Sequence, residues 1–299
     1  MSSPSRIGRR LGVRHETSYH YDTPVEVGQH SAWLRPRDTQ DQQVRSWRLD
    51  VRPEPDTPVQ EDQDVFGNWR HGFSHSRVHD RLCVLSAFEV ELFEPRRFEA
   101  SSGPTWEQTA EALSYRAGIQ QPDAAEFALG TSFAPRDWQL RSFGAADFAP
   151  GRPLLEAALA LMWRVHAEMT YQSNSTNVAT SATQALALGR GVCQDFAHLL
   201  IGVLRSFGLA ARYVSGYLLT QPPPGQARLI GADASHAWVA VWCPGHDWVA
   251  LDPTNNVVTG TDHVTLGWGR DYSDVAPLRG VIRGGGLTPP QVAVTVQPC

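Results

Sequence analysis

Three residues in the second half of the chain have the types needed for nucleophilic chemistry at a carbonyl. Cys193 stands in GRGVCQDFAH (189–198), His236 in ASHAWVAVW (234–242) and Asp252 in DWVALDPTNN (247–256). A thiolate attacks the carbonyl carbon, an imidazole carries the proton, and a carboxylate fixes the imidazole tautomer. Each residue alone has a plainer explanation. Cysteine is often an inert buried hydrophobe, a strand histidine is usually structural, and Asp before Pro forms turns. Their joint occurrence, cysteine at a helix start, histidine opening a strand and aspartate closing the next, favours a site over three accidents.

These roles demand particular elements. Phe196, Leu199, Leu200, Val203, Leu204 and Phe207 recur at helical spacing after the cysteine. Cys193 therefore falls in the first turn, where unpaired N–H groups and the positive end of the helix dipole stabilise a thiolate or an oxyanion. His198 lies five residues on, about 140° around the helix, and faces away. His236 begins an alternating strand, and a hairpin to WVALD would bring Asp252 beside it. The Cys193 N–H is one expected oxyanion donor, with a second sought in Thr176–Thr183 or a tryptophan.

The 299 residues are 41% hydrophobic and 19% charged, enough for more than one folded unit and against global disorder. A net charge of −5 gives no sign of nucleic acid as a partner. All 26 basic residues are arginine, so no side-chain primary amine is present. The first residues lack a signal-peptide apolar run, and no run of 18 apolar residues occurs, so a cytoplasmic protein without a membrane partner is expected. Cys83, Cys193, Cys243 and Cys299 show no CxxC pairing and read as separate thiols in a reducing compartment.

Residues 8–96 read as an N-terminal all-β, sandwich-like domain, with Pro24 ending the first strand. Residues 97–152 read as a helical connection, with helices in TWEQTAEALSYRAG, QPDAAEFALG and PRDWQLRSFG. Residues 153–299 read as a core with a C-terminal extension. The expected class is α+β, the nucleophile-bearing helix packing on an antiparallel sheet. His71, His75 and His79 share one face at a spacing of four and read as a solvated β edge rather than a metal site. Trp106, Trp138, Trp163, Trp238, Trp242 and Trp248 read as core or interface residues, and Tyr217 as packed rather than lining a cleft. Cys193, His236 and Asp252 could ligate zinc as mixed donors, but a lone thiolate makes this the weaker reading. No EF-hand loop is present, and neither metal nor cofactor is expected.

The blocks GVCQDFAHLLIGVLRSFGLAARYVSGYL (191–218), SHAWVAVW (235–242) and WVALDPTNN (248–256) resemble the bacterial transglutaminase-like superfamily in order and spacing. HETSYHYDTPV, LRPR (34–37) and DVFGNW (64–69) resemble the β domain that often precedes this core, and GRDYSDVAPLRG (269–280) the segment after it. The resemblance implies a papain-like core with Cys193 as nucleophile, His236 as general base and acid, and Asp252 as orienter. It implies acyl transfer on amide bonds of a peptide or protein through a thioester, with hydrolysis slightly preferred over transamidation. A non-catalytic binding or scaffold protein on the same fold is the alternative.

Overall fold

The computed structural model describes residues 8–220, 235–286 and 289–299. Five strands come first: β1 (Arg9–Ala32), β2 (Gln42–Arg52), β3 (Gln60–Gln63), β4 (Trp69–His75) and β5 (His79–Leu92). Alternation along β1 turns Leu11, Val13, His15 and Thr17 inward. Pro24 does not end this strand. The pairing register with β5 shifts between His20 and Val25, and the irregularity accommodates a residue that cannot donate to the ladder.

Helices follow, shorter than the pattern suggests. α1 (Trp106–Ala112) has the expected capping box between Thr105 and Gln108 but only two turns. QPDAAEFALG forms a 3-10 stretch over Asp123–Ala128 rather than an α-helix. α2 (Trp138–Gly144) is capped by Asp137, and α3 (Leu154–Glu168) packs Leu154, Leu155, Leu161 and Val165 inward. β6 (Thr170–Tyr171), α4 (Ala182–Leu188) and β7 (Arg190–Gly191) lead into α5 (Cys193–Ser206).

The apolar stripe of α5 is the centre of the core. Phe196, Leu199, Leu200, Val203 and Leu204 are fully enclosed by α2, α3, α4 and one face of a five-stranded antiparallel sheet. That sheet contains β8 (Ala211–Leu218), β9 (Ser235–Cys243), β10 (Asp247–Asp252), β11 (Val257–Val258) and β12 (His263–Gly269), in the order β11-β10-β9-β8-β12. The expected α+β arrangement is therefore present: a helix carrying Cys193 lies on an antiparallel sheet, after an all-β region.

After α6 (Tyr272–Val275) the chain returns to the first sheet. β13 (Leu278–Gly284) pairs with the second half of β1, and β14 (Gln291–Pro298) with its first half. Among the described residues the first sheet thus has seven strands, on the path β2-β5-β1-β4-β3 plus these two. Its apolar side shares a core with the second sheet, where Leu11, Phe88 and Val294 meet Tyr217, Val264 and Leu266. Polar ties cross the same boundary. Asn68 Nδ2 donates to Trp268 O at 2.7 Å, its Oδ1 accepts from Trp268 N at 3.0 Å, and Gln42 exchanges two bonds with the Thr265 backbone.

One other expectation fails, and a second holds only in part. His71 and His75 are buried, not solvated: β3 covers β4 as the outer strand, His71 Nε2 meets Glu61, and His75 Nε2 meets Pro53 O. Trp138 and Trp163 lie on outward faces of their helices, 75% and 60% exposed, so neither is a core residue. No helix among the described residues is long and apolar enough to cross a membrane.

Candidate active site

Cys193 is the first residue of α5, and a short backbone device sets it there. Val192 is extended, and its N–H donates to Asp195 Oδ2 at 2.8 Å. Thr176 donates to the same oxygen at 2.6 Å. Asp195 is thus a reverse cap for the first turn, and burial raises its carboxyl above the usual range against these bonds. Gly191 is required by close approach, because a Cβ there would lie 2.5 Å from Asp195 Oδ2. Among the described residues nothing accepts from the Cys193 N–H, as expected at a first helical position.

β9 and β10 form a hairpin with Leu251 opposite Val239, which brings Asp252 diagonally to His236. His236 Nε2 donates to Asp252 Oδ2 at 2.7 Å. This leaves Nδ1 as the nitrogen facing Cys193, whose thiol is also near Ser235 O at 4.0 Å. Burial opposes charge on His236, but hydrogen bonds with Asp252 and Cys193 prevail and hold the imidazole up to about 9. Burial likewise opposes the Asp252 charge, and the donors from His236 and His263 override it, keeping the carboxyl well below the usual range.

The structure therefore brings Cys193, His236 and Asp252 together, and Cys193 and His236 open on one cavity of about 260 Å³. His198 is excluded: its ring is fully buried against Phe133, and its Nε2 accepts from Tyr272 N. Tyr217 packs instead of lining the cleft. No residue of Thr176–Thr183, where a second oxyanion donor was sought, lines this cavity. Thr176 is committed to Asp195, Thr180 accepts from Asn177 N, and neither reaches the cavity. Trp238 is buried and does not line it either.

Two histidines escaped the sequence reading. His263, first residue of β12, places Nε2 3.2 Å from Asp252 Oδ2, while its Nδ1 accepts from Gly260 N at 3.4 Å. That pairing fixes Nε2 as the protonated nitrogen. His15 of β1 lines the cavity beside Cys193, bonded to the Tyr217 hydroxyl and to Thr17, and burial pushes its imidazole down to about 4. His15 carried a usable signal, a polar side chain on the apolar phase of an alternating strand, in step with Leu11 and Val13. His236, Asp252 and His263 are close enough to form a metal donor set. However, His263 presents an N–H rather than a lone pair to the space between them, so a hydrogen-bonded carboxylate suits the geometry better than a metal.

Sequence comparison matches residues 11–91 to the bacterial transglutaminase-like N-terminal region and residues 145–253 to the transglutaminase-like superfamily. A protein of Mycobacterium tuberculosis, itself uncharacterized, is 38% identical over 94% of this chain and 90% of its own length. A protein-glutamine gamma-glutamyltransferase of Pseudomonas aeruginosa is 38% identical over 68 residues, 22% of this chain and 10% of that protein. Among solved structures, a proposed cysteine protease from Cytophaga hutchinsonii shares the fold, with a TM-score of 0.76 at 20% identity, over 98% of this chain and 91% of that one.

Proposed function

The chain belongs to the transglutaminase-like superfamily, and on that premise we propose that it is a thiol acyltransferase acting on amide bonds of peptides or proteins. One observation carries the reading: a cysteine at a helix N-terminus faces an imidazole whose far nitrogen is held by a buried carboxylate. Cys193 attacks the amide carbonyl as a thiolate, and the Cys193 N–H receives the developing oxyanion. His236, protonated and aligned by Asp252, gives its proton to the departing amine. Water, deprotonated by the now neutral His236, then releases the acid from the thioester. Hydrolysis is the preferred outcome, because water needs no dedicated acceptor subsite.

Transamidation is the second reading, supported by the glutamyltransferase match in Pseudomonas aeruginosa. A chain without lysine would be spared crosslinking through its own side chains. A cytoplasmic location remains part of the proposal, together with peptide or protein as the partner.

Limiting iodoacetamide at pH 6, followed by peptide mapping, tests the nucleophile against internal controls. Burial raises the thiols of Cys83, Cys243 and Cys299, the second to about 11. Cys193 should label far ahead of the exposed Cys299, and His236→Ala should remove that lead. Equal labelling of Cys193 and Cys299 would leave only the scaffold alternative. A glutamine peptide supplied with and without a fluorescent primary amine then separates transamidation from hydrolysis.

A further inference from the structure

The face of the second sheet turned away from α5 carries a cavity of about 650 Å³, within the range of small-molecule sites. Its walls include Trp242, Trp248 and Trp268 from the second sheet and Phe93 and Phe98 from the segment after β5, with Arg212 among them. The Arg212 guanidinium lies between two indoles, 4.2 Å from the Trp248 ring centroid and 3.7 Å from that of Trp268. Aromatic faces fix its plane but satisfy none of its N–H donors.

Arg205 and Arg37 each also keep one buried nitrogen without a partner, Nη1 and Nε respectively, but both donate through other nitrogens. Arg205 donates to the carbonyls of Phe127, Ala211 and Arg270. Arg37 donates to Phe66 O and Asn68 Oδ1. Among the described residues nothing accepts a hydrogen bond from Arg212, and its Nε is buried without a partner. Arg37 also stacks on Trp268, 3.3 Å from the centroid, so two cations contact one indole. Burial and then the Arg37 charge push the Arg212 guanidinium down to about 9, with Asp247 opposing them. A held, charged fork with unused donors in a cavity is a site short of an acceptor.

We propose that this cavity binds an oxyanion, a carboxylate or a phosphate, carried on a ligand with a flat apolar body. Arg212 grips the anion through its free donors, and the tryptophans and phenylalanines cover the body. The inference is independent of the chemistry assigned to Cys193.

Tryptophan fluorescence and titration calorimetry on the full chain test it with three small probes: benzoate, phenyl phosphate and neutral benzamide. At least one anion should bind saturably, at about millimolar strength for so small a molecule, and benzamide at least tenfold more weakly. The tighter of the two anions identifies the headgroup. Arg212→Gln should weaken anion binding at least tenfold, while Arg48→Gln, on the exposed face of β2, leaves it unchanged. If Arg212→Gln does not fold, Arg212→Lys serves, since it keeps the charge, loses the fork and should bind several-fold more weakly. No saturable anion binding, equal binding of benzamide, or unchanged affinity in the folded Arg212 variant would overturn the proposal.

Discussion

Asp252 accepts hydrogen bonds on both oxygens. Thr254 N and Asn255 N reach Oδ1 at 3.0 and 3.2 Å, while His236 Nε2, Asn255 Nδ2 and His263 Nε2 reach Oδ2 at 2.7, 2.7 and 3.2 Å. Fixing a carboxylate this fully fixes the imidazole it holds. His263 braces Oδ2 from another strand, so its loss should be felt as misaligned proton transfer. His263→Phe, which keeps a ring without the donor, should lower kcat about tenfold with KM little changed. His263→Gln, whose Nε2 can still donate, should recover most of that loss; equal activity in both variants would remove His263 from the relay. The charge state of His236 gives a second prediction. Its folded value is raised from 6.5 to about 9, so its stabilising contribution is complete below 6.5 and is lost as pH rises through about 9. Asp252 is depressed, so its contribution is present above 3.8 and is lost as pH falls. The Tm gap between the protein and His236→Gln should be widest between about pH 4 and 6.5 and should close above about 9. Over the same upper range kcat/KM should decline, because the imidazolium that protonates the leaving amine is lost. An activity still rising at pH 10 would contradict that acid role.

At the scale of elements, the first turn of α5 depends on a contact that no periodicity reveals. Gly191→Ala would drive Cβ into Asp195, which cannot swing aside without releasing Val192 N–H and Thr176. A cost of roughly 1–3 kcal/mol follows from such overpacking, together with slower alkylation of Cys193. In an Asp195→Ala background the same substitution should cost much less, because the obstructing side chain is gone; additive costs would refute this account. The contrast shows what the sequence could reveal. α5, β9 and β10 were legible because their apolar residues recur at helical or strand spacing, and Cys193, His236 and Asp252 followed from where those elements begin and end. β12 was not: Gly267 and Gly269 interrupt its pattern, and the Gly267 position is set by Asn68, which would lie 2.7 Å from a Cβ there. His263 was lost with its strand. The inward turn of His71 and His75 depends on β3 and Pro53, partners that spacing alone does not supply.

At the scale of the whole molecule, the two larger sheets share one boundary, and β1 is common to both the first sheet and the candidate cleft. His15 and Thr17 of β1 stand in the cavity with Cys193, as do Leu278 of β13 and Val292 of β14. The core between the sheets mixes β1, β5 and β14 with β8 and β12, Asn68 and Gln42 bind the backbone across it, and Arg37 stacks on Trp268. Regions joined through a common apolar core should unfold together. Calorimetry of the full chain should therefore show one transition, with near-ultraviolet dichroism and loss of Cys193 reactivity following the same curve. A chain stopped at Ala276 tests the point more severely. It removes β13 and β14, leaves both halves of β1 without a partner on one side, and uncovers the core from which Val294 and Val296 are lost. An exposed edge over an open apolar core favours aggregation. The shortened chain should be insoluble, or should lack a cooperative transition, even though it retains Cys193, His236 and Asp252. Were it to fold and label at Cys193 as quickly as the full chain, the second sheet and its helices would be an independent unit, and the strands that return to β1 would have no part in the site.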